Sequence, residues 1–223
     1  MHQQNGRMLA SKWLKTTALM TNGYVARHIP PTRRYSTGNL RTMLSHYGMV
    51  VLKPVRGAGG HGLIKVTRVG ARYQVHAKSS VRSFGTFAGL CAHIGRLKGR
   101  RAYLIQRGIR LATVAGRPID YRVKHVKTEA GWQIRAMVGR VARRGLFVTN
   151  LCRGGTRVTA GQGIARSLSG RLVGPKKSQM RHLTRTSTAL LESRFPGIGQ
   201  LGYDYGIDRG GRIWMLEVNT RPQ

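Results

Sequence analysis

Apolar residues along this chain follow two periods, and the elements that they predict alternate. A two-residue period with many β-branched and aromatic residues predicts strands over MVVLKPV, LIKVTRV, RYQVHA, RAYLIQRGI and GLFVTNL. The same period predicts two hairpins, one over residues 119–142 with a turn near Ala130-Gly131 and one over the closing residues. A period of three to four residues predicts helices over SKWLKTTALMTNGYVARH (ending before Pro30-Pro31), GNLRTMLSHYG, TFAGLCAHIGRLKG and KKSQMRHLTRTSTALLESRF. Paired strands with helices between the groups predict an α+β fold with antiparallel sheets.

The charge of the chain is strongly unbalanced. Thirty Arg and ten Lys stand against six Asp and Glu, which is a formal net charge of +34, and residues 1–119 contain no acid. Such a balance predicts polyanionic partners, namely nucleic acid, phosphates, acidic peptides or anionic surfaces. An apolar content of 40% is nevertheless enough for a folded core, which argues against a disordered basic tail.

The two cysteines, Cys91 and Cys152, are isolated in the sequence. They predict neither a metal-binding pair nor a disulfide framework, and they favour a reducing compartment. No apolar run reaches the length of a membrane span, and the first residues lack the core of a signal peptide. We therefore expect a cytoplasmic protein.

A glycine-rich loop, Gly57 to Gly62, lies between two predicted strands. It fits the pattern G-x-G-x-x-G, but a dinucleotide fold would need a helix and a nearby acid next, and here a strand follows and the next acid is Asp120. A glycine loop between antiparallel strands can instead cover the phosphates of a nucleotide, with Lys53 reaching a phosphate. The alternative is an ordinary flexible hairpin loop.

Three of the six acids, Asp204, Asp208 and Glu217, lie in the closing hairpin. A two-residue turn at Gly210-Gly211 would place Asp204 opposite Glu217, with Asn219 on the same face as Glu217. Like charges directly opposite destabilise a hairpin, and a divalent cation between them would reverse that effect. Asp208 is more simply a turn residue. The alternative is that these acids pair with surplus arginines.

Taken in order, several segments resemble the ATP-grasp superfamily, most closely its YheC/YheD family of endospore coat-associated proteins. The resemblance covers about residues 10–223, and its most specific part is LEVN…P after GYD. The matching segments are SKW, IPPT, VLKPVRGAGGHGLIKV, LIQRGI, IDYRV, GWQIRAMVGRV, FVTNLCRGG and GYDYGID…IWMLEVNTRP.

This resemblance implies a fold of two α+β lobes whose antiparallel sheets sandwich ATP. It implies a helical lead-in over residues 1–35 that packs on the core lobe, a lid lobe with the glycine loop over 36–106, and a core lobe with the metal-binding hairpin over 107–223. Relatives usually carry a further domain before the SKW helix and continue past NTRP. Two interpretations stay open: a minimal ATP-grasp unit for which a protein partner supplies the missing N-terminal domain, or a degenerate unit.

The resemblance also implies roles for individual residues. Contacts to ATP are implied for Lys12, Lys53, Gly57, Gly59, Gly60, Gly62, Gln106 and Ile109. Handling of the γ-phosphate and the acyl group is implied for Arg140, Asn150 and Arg153. Binding of one or two Mg²⁺ or Mn²⁺ ions is implied for Asp204, Glu217 and Asn219. Asp120 and Arg122 resemble the D-x-R of peptide ligases. Ser11 before Lys12 and Arg107 after Gln106 depart from the usual pattern.

The chemistry implied by the resemblance is an ATP- and Mg-dependent ligase that joins a carboxylate to an amine or thiol through an acylphosphate. The basic surface suggests an acidic peptide or polymer as substrate, and the family suggests association with the spore coat. One alternative is a non-catalytic basic protein that binds nucleic acid or a spore-surface polyanion. Another is a structural coat component that retains the nucleotide-binding fold.

Overall fold

The computed structural model describes residues 7–57 and 59–220. The helices in these residues are α1 (Lys12–Leu19), α2 (Gly23–Ala26), α3 (Thr37–Tyr47), α4 (Phe87–Lys98), α5 (Ala160–Ser167) and α6 (Val173–Arg194). The strands are β1 (Thr32–Arg34), β2 (Met49–Pro54), β3 (Ile64–Val69), β4 (Arg72–Ala77), β5 (Ser80–Phe84), β6 (Tyr103–Arg107), β7 (Thr113–Val114), β8 (Arg117–Thr128), β9 (Gly131–Val141), β10 (Thr156–Thr159), β11 (Gln200–Ile207) and β12 (Ile213–Asn219). All the strand pairs are antiparallel, which confirms the predicted α+β class.

The chain divides into two compact units. The small unit is Pro30–Ile109, and the large unit combines the residues up to Ile29 with those from Arg110 onward. The domain boundaries expected from the sequence, after residues 35 and 106, stay a prediction.

The small unit is a six-stranded sheet in the order β1-β6-β2-β3-β4-β5. Alternation along β2 sends Val50 and Leu52 into the core, where α3 and α4 contribute their apolar faces. Helix α3 begins where the Ser36 side chain accepts a hydrogen bond from the Asn39 amide, and it ends at Gly48 in the left-handed conformation. Because successive residues of a strand point to opposite faces, Lys53, which follows Leu52, lies on the face of the sheet away from this core.

The large unit is a sheet in the order β10-β9-β8-β11-β12, with β7 added beside β8. One face packs against α5 and α6. There Tyr203 and Tyr205 are fully buried, and their hydroxyls lie 2.8 and 2.9 Å from the hydroxyl oxygens of Thr188 and Thr184 on α6. Each such bond contributes about 1 kcal/mol, which explains why a helix with buried threonines still packs firmly on a sheet. The opposite face of this sheet carries the polar residues of the candidate site.

Two of the sequence-based element predictions are wrong. The helix expected from Ser11 to His28 is broken after Leu19, because the Asn22 side chain accepts hydrogen bonds from the Tyr24 and Val25 amides and starts a second helix. The strand expected over residues 145–151 does not form. All of these residues are described, and they form a turn and irregular chain that lead into a short 3-10 helix at Leu151–Arg153. The edge of β9 is occupied instead by β10, so no ladder position remains for that segment.

Five short elements, β1, β5, β7, β10 and α5, were not predicted from the sequence. None of the helices in residues 7–57 and 59–220 is both long enough and apolar enough to cross a lipid bilayer.

Candidate functional site

The polar face of the large sheet brings four charged side chains together. Along β8, Tyr121 and Val123 are buried on the helical side, so Asp120 and Arg122 point to the other side. The strand register places Arg140 of β9 opposite Asp120 and Asp204 of β11 opposite Arg122. Residues separated by up to 84 positions in sequence thereby become neighbours on three adjacent strands.

These four residues form a continuous network of ion pairs. Arg140 Nε donates to Asp120 Oδ1 at 2.8 Å, and its Nη2 lies 2.9 Å from Asp204 Oδ1, which is a diagonal contact across β8. Arg122 donates both to Asp204 Oδ1 and, at 2.9 Å, to Asp204 Oδ2. Asp120, Arg140 and Asp204 are 4, 5 and 7% exposed. The network holds two carboxylates and two guanidinium groups, so its formal charge is balanced.

Burial raises the pKa of both carboxylates and the neighbouring arginines lower it, and the net direction differs between Asp120 and Asp204. For Asp120, desolvation is the larger effect and its pKa is raised, although Arg140 opposes the shift. For Asp204, burial alone would raise the pKa, but Arg140 and Arg122 outweigh it and the pKa is lowered. Asp204 is thus an anion at neutral pH, held between two cations.

The closing hairpin places Asp204 directly opposite Glu217, as expected. The expected two-residue turn is wrong, however, because Asp208 pairs with Arg212 and the turn contains three residues. A β-bulge between Asp204 and Tyr205 shifts the register by one residue and restores the Asp204–Glu217 pair. The like charges are compensated by cations, since Arg122 and Arg140 contact Asp204 and Lys12 lies 3.4 Å from Glu217.

Lys12 and Lys15 both lie on α1 and are both buried. Ser11, the residue that departs from the family pattern, caps this helix by accepting a hydrogen bond from the Leu14 amide. Lys15 Nζ donates to Leu9 O at 2.9 Å, and burial lowers the pKa of Lys15 to about 8, although Glu217 acts against that shift. The sequence analysis missed Lys15, which a spacing of three residues from Lys12 on a helix would have placed on the same face.

The predicted metal ligands Asp204, Glu217 and Asn219 lie on the two strands of this hairpin, with Asn219 two residues beyond Glu217 on the same face. Two carboxylates and an amide oxygen are donors that suit a hard divalent cation. Among the described residues, no group of three or more His, Cys, Asp or Glu is arranged to hold a metal. Cations already lie beside both carboxylates. The donor set therefore suits a divalent ion that is also bound by phosphate oxygens better than one bound by these side chains alone.

The remaining predicted catalytic residues, Asn150 and Arg153, lie in the connection between β9 and β10. The Asn150 carbonyl accepts a hydrogen bond from the Arg153 amide at 2.9 Å, which closes a 3-10 turn. The preceding residue, Thr149, is buried and donates its hydroxyl to Asp120. The connection is therefore attached to the network through Thr149, a residue that the sequence analysis did not select.

In the small unit, the glycine loop joins β2 to β3, so a strand follows the loop, as expected. Gly57, Gly59, Gly60 and Gly62 all have positive φ, between 66° and 132°, which residues with a Cβ rarely adopt. Tyr103 holds the end of the loop, because its hydroxyl donates to Gly62 O at 3.0 Å. No local pattern in the sequence indicates this contact.

Lys53 and Gln106 share the face of the small sheet that lies opposite to its apolar core. Val51 of β2 lies opposite Gln106 of β6, and Lys53 lies two residues after Val51, so the side chains of Lys53 and Gln106 point to the same face. Lys53 is 8% and Gln106 is 6% exposed, and Gln106 Nε2 donates to Thr32 Oγ1 at 2.9 Å. The predicted adenine contact Ile109 is the last residue of this unit. Of the predicted nucleotide residues in the small unit, Lys53 and Gln106 are therefore brought together on one face of the sheet.

Comparison with known proteins gives a consistent result. A model of the YheC/D-like ATP-grasp family matches residues 2–223. Endospore coat-associated protein YheD of Bacillus subtilis (strain 168) is 30% identical over 183 residues, which cover 79% of this chain and 40% of that protein. YheC of the same organism is 27% identical over 235 residues, which cover 97% of this chain and 61% of that protein. The chain thus spans less than two thirds of either relative.

The fold is also shared with solved structures. N5-carboxyaminoimidazole synthase of Aspergillus clavatus, crystallised with ADP and 5-aminoimidazole ribonucleotide, aligns with 99% of this chain and 46% of its own, with a TM-score of 0.60 and 14% identity. Such a likeness establishes the ATP-grasp fold that the sequence predicted. Because the family model matches nearly the entire chain, this protein belongs to the YheC/D-like ATP-grasp family.

Proposed function

We propose that this protein is an ATP-dependent ligase that activates a carboxylate as an acylphosphate and transfers it to an amine or thiol. The observation that carries the proposal is the hairpin donor set Asp204, Glu217 and Asn219 beside the buried cations Lys12 and Arg140. A phosphoryl-transfer site needs metal ligands and fixed cations close together, and this face carries oxygen donors and buried cations side by side.

Each group of residues has a distinct task in the proposed reaction. The residues proposed to bind ATP are Lys12, Lys53, Gly57, Gly59, Gly60, Gly62, Gln106 and Ile109. Asp204, Glu217 and Asn219 would hold Mg²⁺ or Mn²⁺, which neutralises phosphate charge when it is bound. Arg140, with Asn150 and Arg153, would orient the γ-phosphate and the acyl oxygen.

The proposed reaction needs no side chain of the protein as a general acid or base. A carboxylate oxygen of the substrate attacks the γ-phosphorus of ATP, the bond to the β-phosphate oxygen breaks, and ADP leaves with the electron pair. The amine nitrogen then attacks the acyl carbon, phosphate leaves with the pair of the broken C–O bond, and the nitrogen loses its proton to solvent. Positioning and fixed positive charge are the contributions required of the protein.

Arg140 is suited to the first step because it is rigid as well as charged. Burial by itself would lower its pKa, but Asp204 and Asp120 outweigh burial and raise it, so the guanidinium group stays protonated. Two carboxylates and the strand register fix its orientation before a substrate arrives, which reduces the reorganisation that the reaction would otherwise require.

A second candidate function is supported by the net charge of +34. A non-catalytic protein that binds a polyanion would show a steep salt dependence spread over many arginines, and it would not depend on Glu217.

The test is calorimetry and thermal shift with ATP, with and without Mg²⁺, at fixed salt. The proposal predicts that wild type binds Mg-ATP and that Glu217→Gln loses the effect of Mg²⁺. Glu129→Gln is the matched control, because Glu129 is exposed in the β8–β9 turn. If Mg-ATP fails to bind wild type, or if Glu217→Gln and Glu129→Gln behave alike, the ligase proposal is wrong and polyanion binding takes its place.

A further inference from the structure

The connection between β9 and β10 carries an arginine cluster, which we define as Arg143, Arg144 and Arg157. Residues 142–159 contain no acid. The two ends of the connection meet, because Thr156 pairs with Val141. Within it, the Arg143 side chain packs on Gly154, where an added Cβ would lie 3.1 Å from Arg143 Cδ. The cluster is therefore confined to one end of the large sheet.

The cluster adjoins the Asp120–Arg140–Asp204 network. Arg157 lies directly opposite Arg140 in the β9–β10 ladder, so both side chains leave the same face of the sheet. Like charges in directly opposite positions destabilise a ladder. Arg140 turns away towards Asp120 and Asp204, whereas Arg157 is exposed. Fold stability does not account for an arginine at position 157.

The protein has almost no acid left to neutralise this cluster. Four of its six acids form ion pairs with Lys12, Arg122, Arg140 and Lys127. Asp208 accepts hydrogen bonds from Trp214 Nε1 and the Arg212 amide. Glu129 is in the β8–β9 turn, at the far end of both strands from the cluster. Among the described residues, none of the six carboxylates pairs with Arg143, Arg144 or Arg157, so the cluster presents positive charge to an anionic ligand.

The phosphates of ATP already have other cations in the proposed reaction, namely Lys12, Lys53, Arg140 and Arg153 together with the divalent ion. The reaction proposed above consumes a carboxylate, so the simplest source of further anionic groups is the same substrate. Arginine suits this role, because its planar fork matches a carboxylate in a two-point hydrogen bond.

We propose that the arginine cluster binds a second carboxylate of the substrate, and that the substrate is an acidic peptide or similar oligocarboxylate rather than a monocarboxylic acid. This inference rests on the ligase function proposed above. One carboxylate would lie near Arg140 to react, while a neighbouring one would be held by Arg157 and its companions.

The experiment measures binding of tetra-L-glutamate, tetra-L-glutamine and a short single-stranded DNA by calorimetry in the presence of Mg²⁺ and a non-hydrolysable ATP analogue, at physiological salt. The variants are Arg157→Gln and Arg143→Gln/Arg144→Gln. Arg181→Gln is the matched control, since Arg181 is exposed on α6. We expect Arg157→Gln to weaken tetraglutamate binding about tenfold, as for loss of one charged hydrogen bond, with nucleotide affinity unchanged. Tetraglutamine should bind poorly to all variants.

The possible results separate this inference from the ligase proposal. If the nucleotide binds but tetraglutamate affinity is the same in wild type, Arg157→Gln and Arg181→Gln, the carboxylate site is refuted and the ligase proposal survives. If single-stranded DNA binds more tightly than tetraglutamate and depends on Arg157, the cluster is a nucleic-acid site and the inference is wrong. If the nucleotide does not bind but tetraglutamate binding depends on Arg157, the carboxylate site is supported and the ligase proposal fails.

Discussion

Replacement of Asp204 by Asn tests the buried network most directly. Asp204 is 7% exposed and accepts hydrogen bonds from two guanidinium groups. Removing one partner of a buried ion pair typically costs about 3–5 kcal/mol, because the other charge stays buried. Here Arg140 keeps Asp120, and the Asn oxygen still accepts one hydrogen bond, so we expect a loss of about 2–3 kcal/mol.

A double-mutant cycle isolates the contact with Arg122. Arg122→Gln alone should also destabilise the protein, and the Asp204→Asn/Arg122→Gln pair should lose less than the sum of the two single changes, with a coupling energy of about 1.5–2 kcal/mol. Urea denaturation followed by tyrosine and tryptophan fluorescence measures each free energy of unfolding. For a chain of this size, the single change Asp204→Asn should lower the melting temperature by about 4–12 °C.

The control for this cycle is Glu129→Gln, which removes an exposed carboxylate and should change stability by less than about 0.5 kcal/mol. If Asp204→Asn matches that control, or if the coupling energy is near zero, the four residues do not act as a buried network. Arg140 would then not be held in a fixed orientation by its two carboxylate partners.

Three further changes test separate parts of the structure. Gly155→Ala should cost about 2–3 kcal/mol and make residues 143–155 more sensitive to trypsin, because the added Cβ would lie 2.6 Å from the Thr149 carbonyl oxygen and 3.1 Å from two other backbone oxygens. Its control is Gly161→Ala in α5, where a Cβ has room. Equal trypsin sensitivity of the two variants would show that the backbone around Gly155 is not closely packed. Tyr103→Phe should cost about 1 kcal/mol and accelerate amide hydrogen exchange at residues 59–62, since it removes the hydrogen bond to Gly62 O; unchanged exchange would show that this bond does not order the loop. Glu192 has a lowered pKa, mainly through the hydrogen bond from Lys127 acting against partial burial, with a contribution from Trp132. Its folded-state pKa is below the unfolded one, so it should add about 0.5–1 kcal/mol at neutral pH that is lost as pH falls below about 4.5, and Glu192→Gln should abolish that part of the acid dependence of urea unfolding.

Much of the fold follows from local pattern. The alternation in β2 and β8 and the helical spacing in α3 and α4 predicted these elements closely, because a single buried face on each leaves little choice of period. The failures occurred where packing overrides pattern. The apolar run Leu146–Val148 looks like a strand, yet β10 already occupies the edge beside β9.

The candidate site shows the same division. The sequence alone established the acids in the closing hairpin, the shared face of Glu217 and Asn219, the glycine loop, and the excess of positive charge that leaves few internal partners. These features depend on neighbours along the chain or on composition. The diagonal contact from Arg140 to Asp204 could not be predicted from the sequence, because the contact depends on the register of three strands. The Asp204–Glu217 pair further depends on a β-bulge that offsets the extra residue in the hairpin turn.

Only the tertiary structure decided which cations the acids meet. Arg122 and Arg140 are two among thirty arginines, and the family resemblance that selected them did not indicate that they pair with Asp204. Strand order and register place both on the β8 side of β11, Arg122 opposite Asp204 and Arg140 diagonal to it. Burial then strengthens their interaction with Asp204, since electrostatic interactions are stronger where water is excluded. The arginine cluster likewise becomes a surface only because β9 and β10 pair and bring the two ends of its connection together.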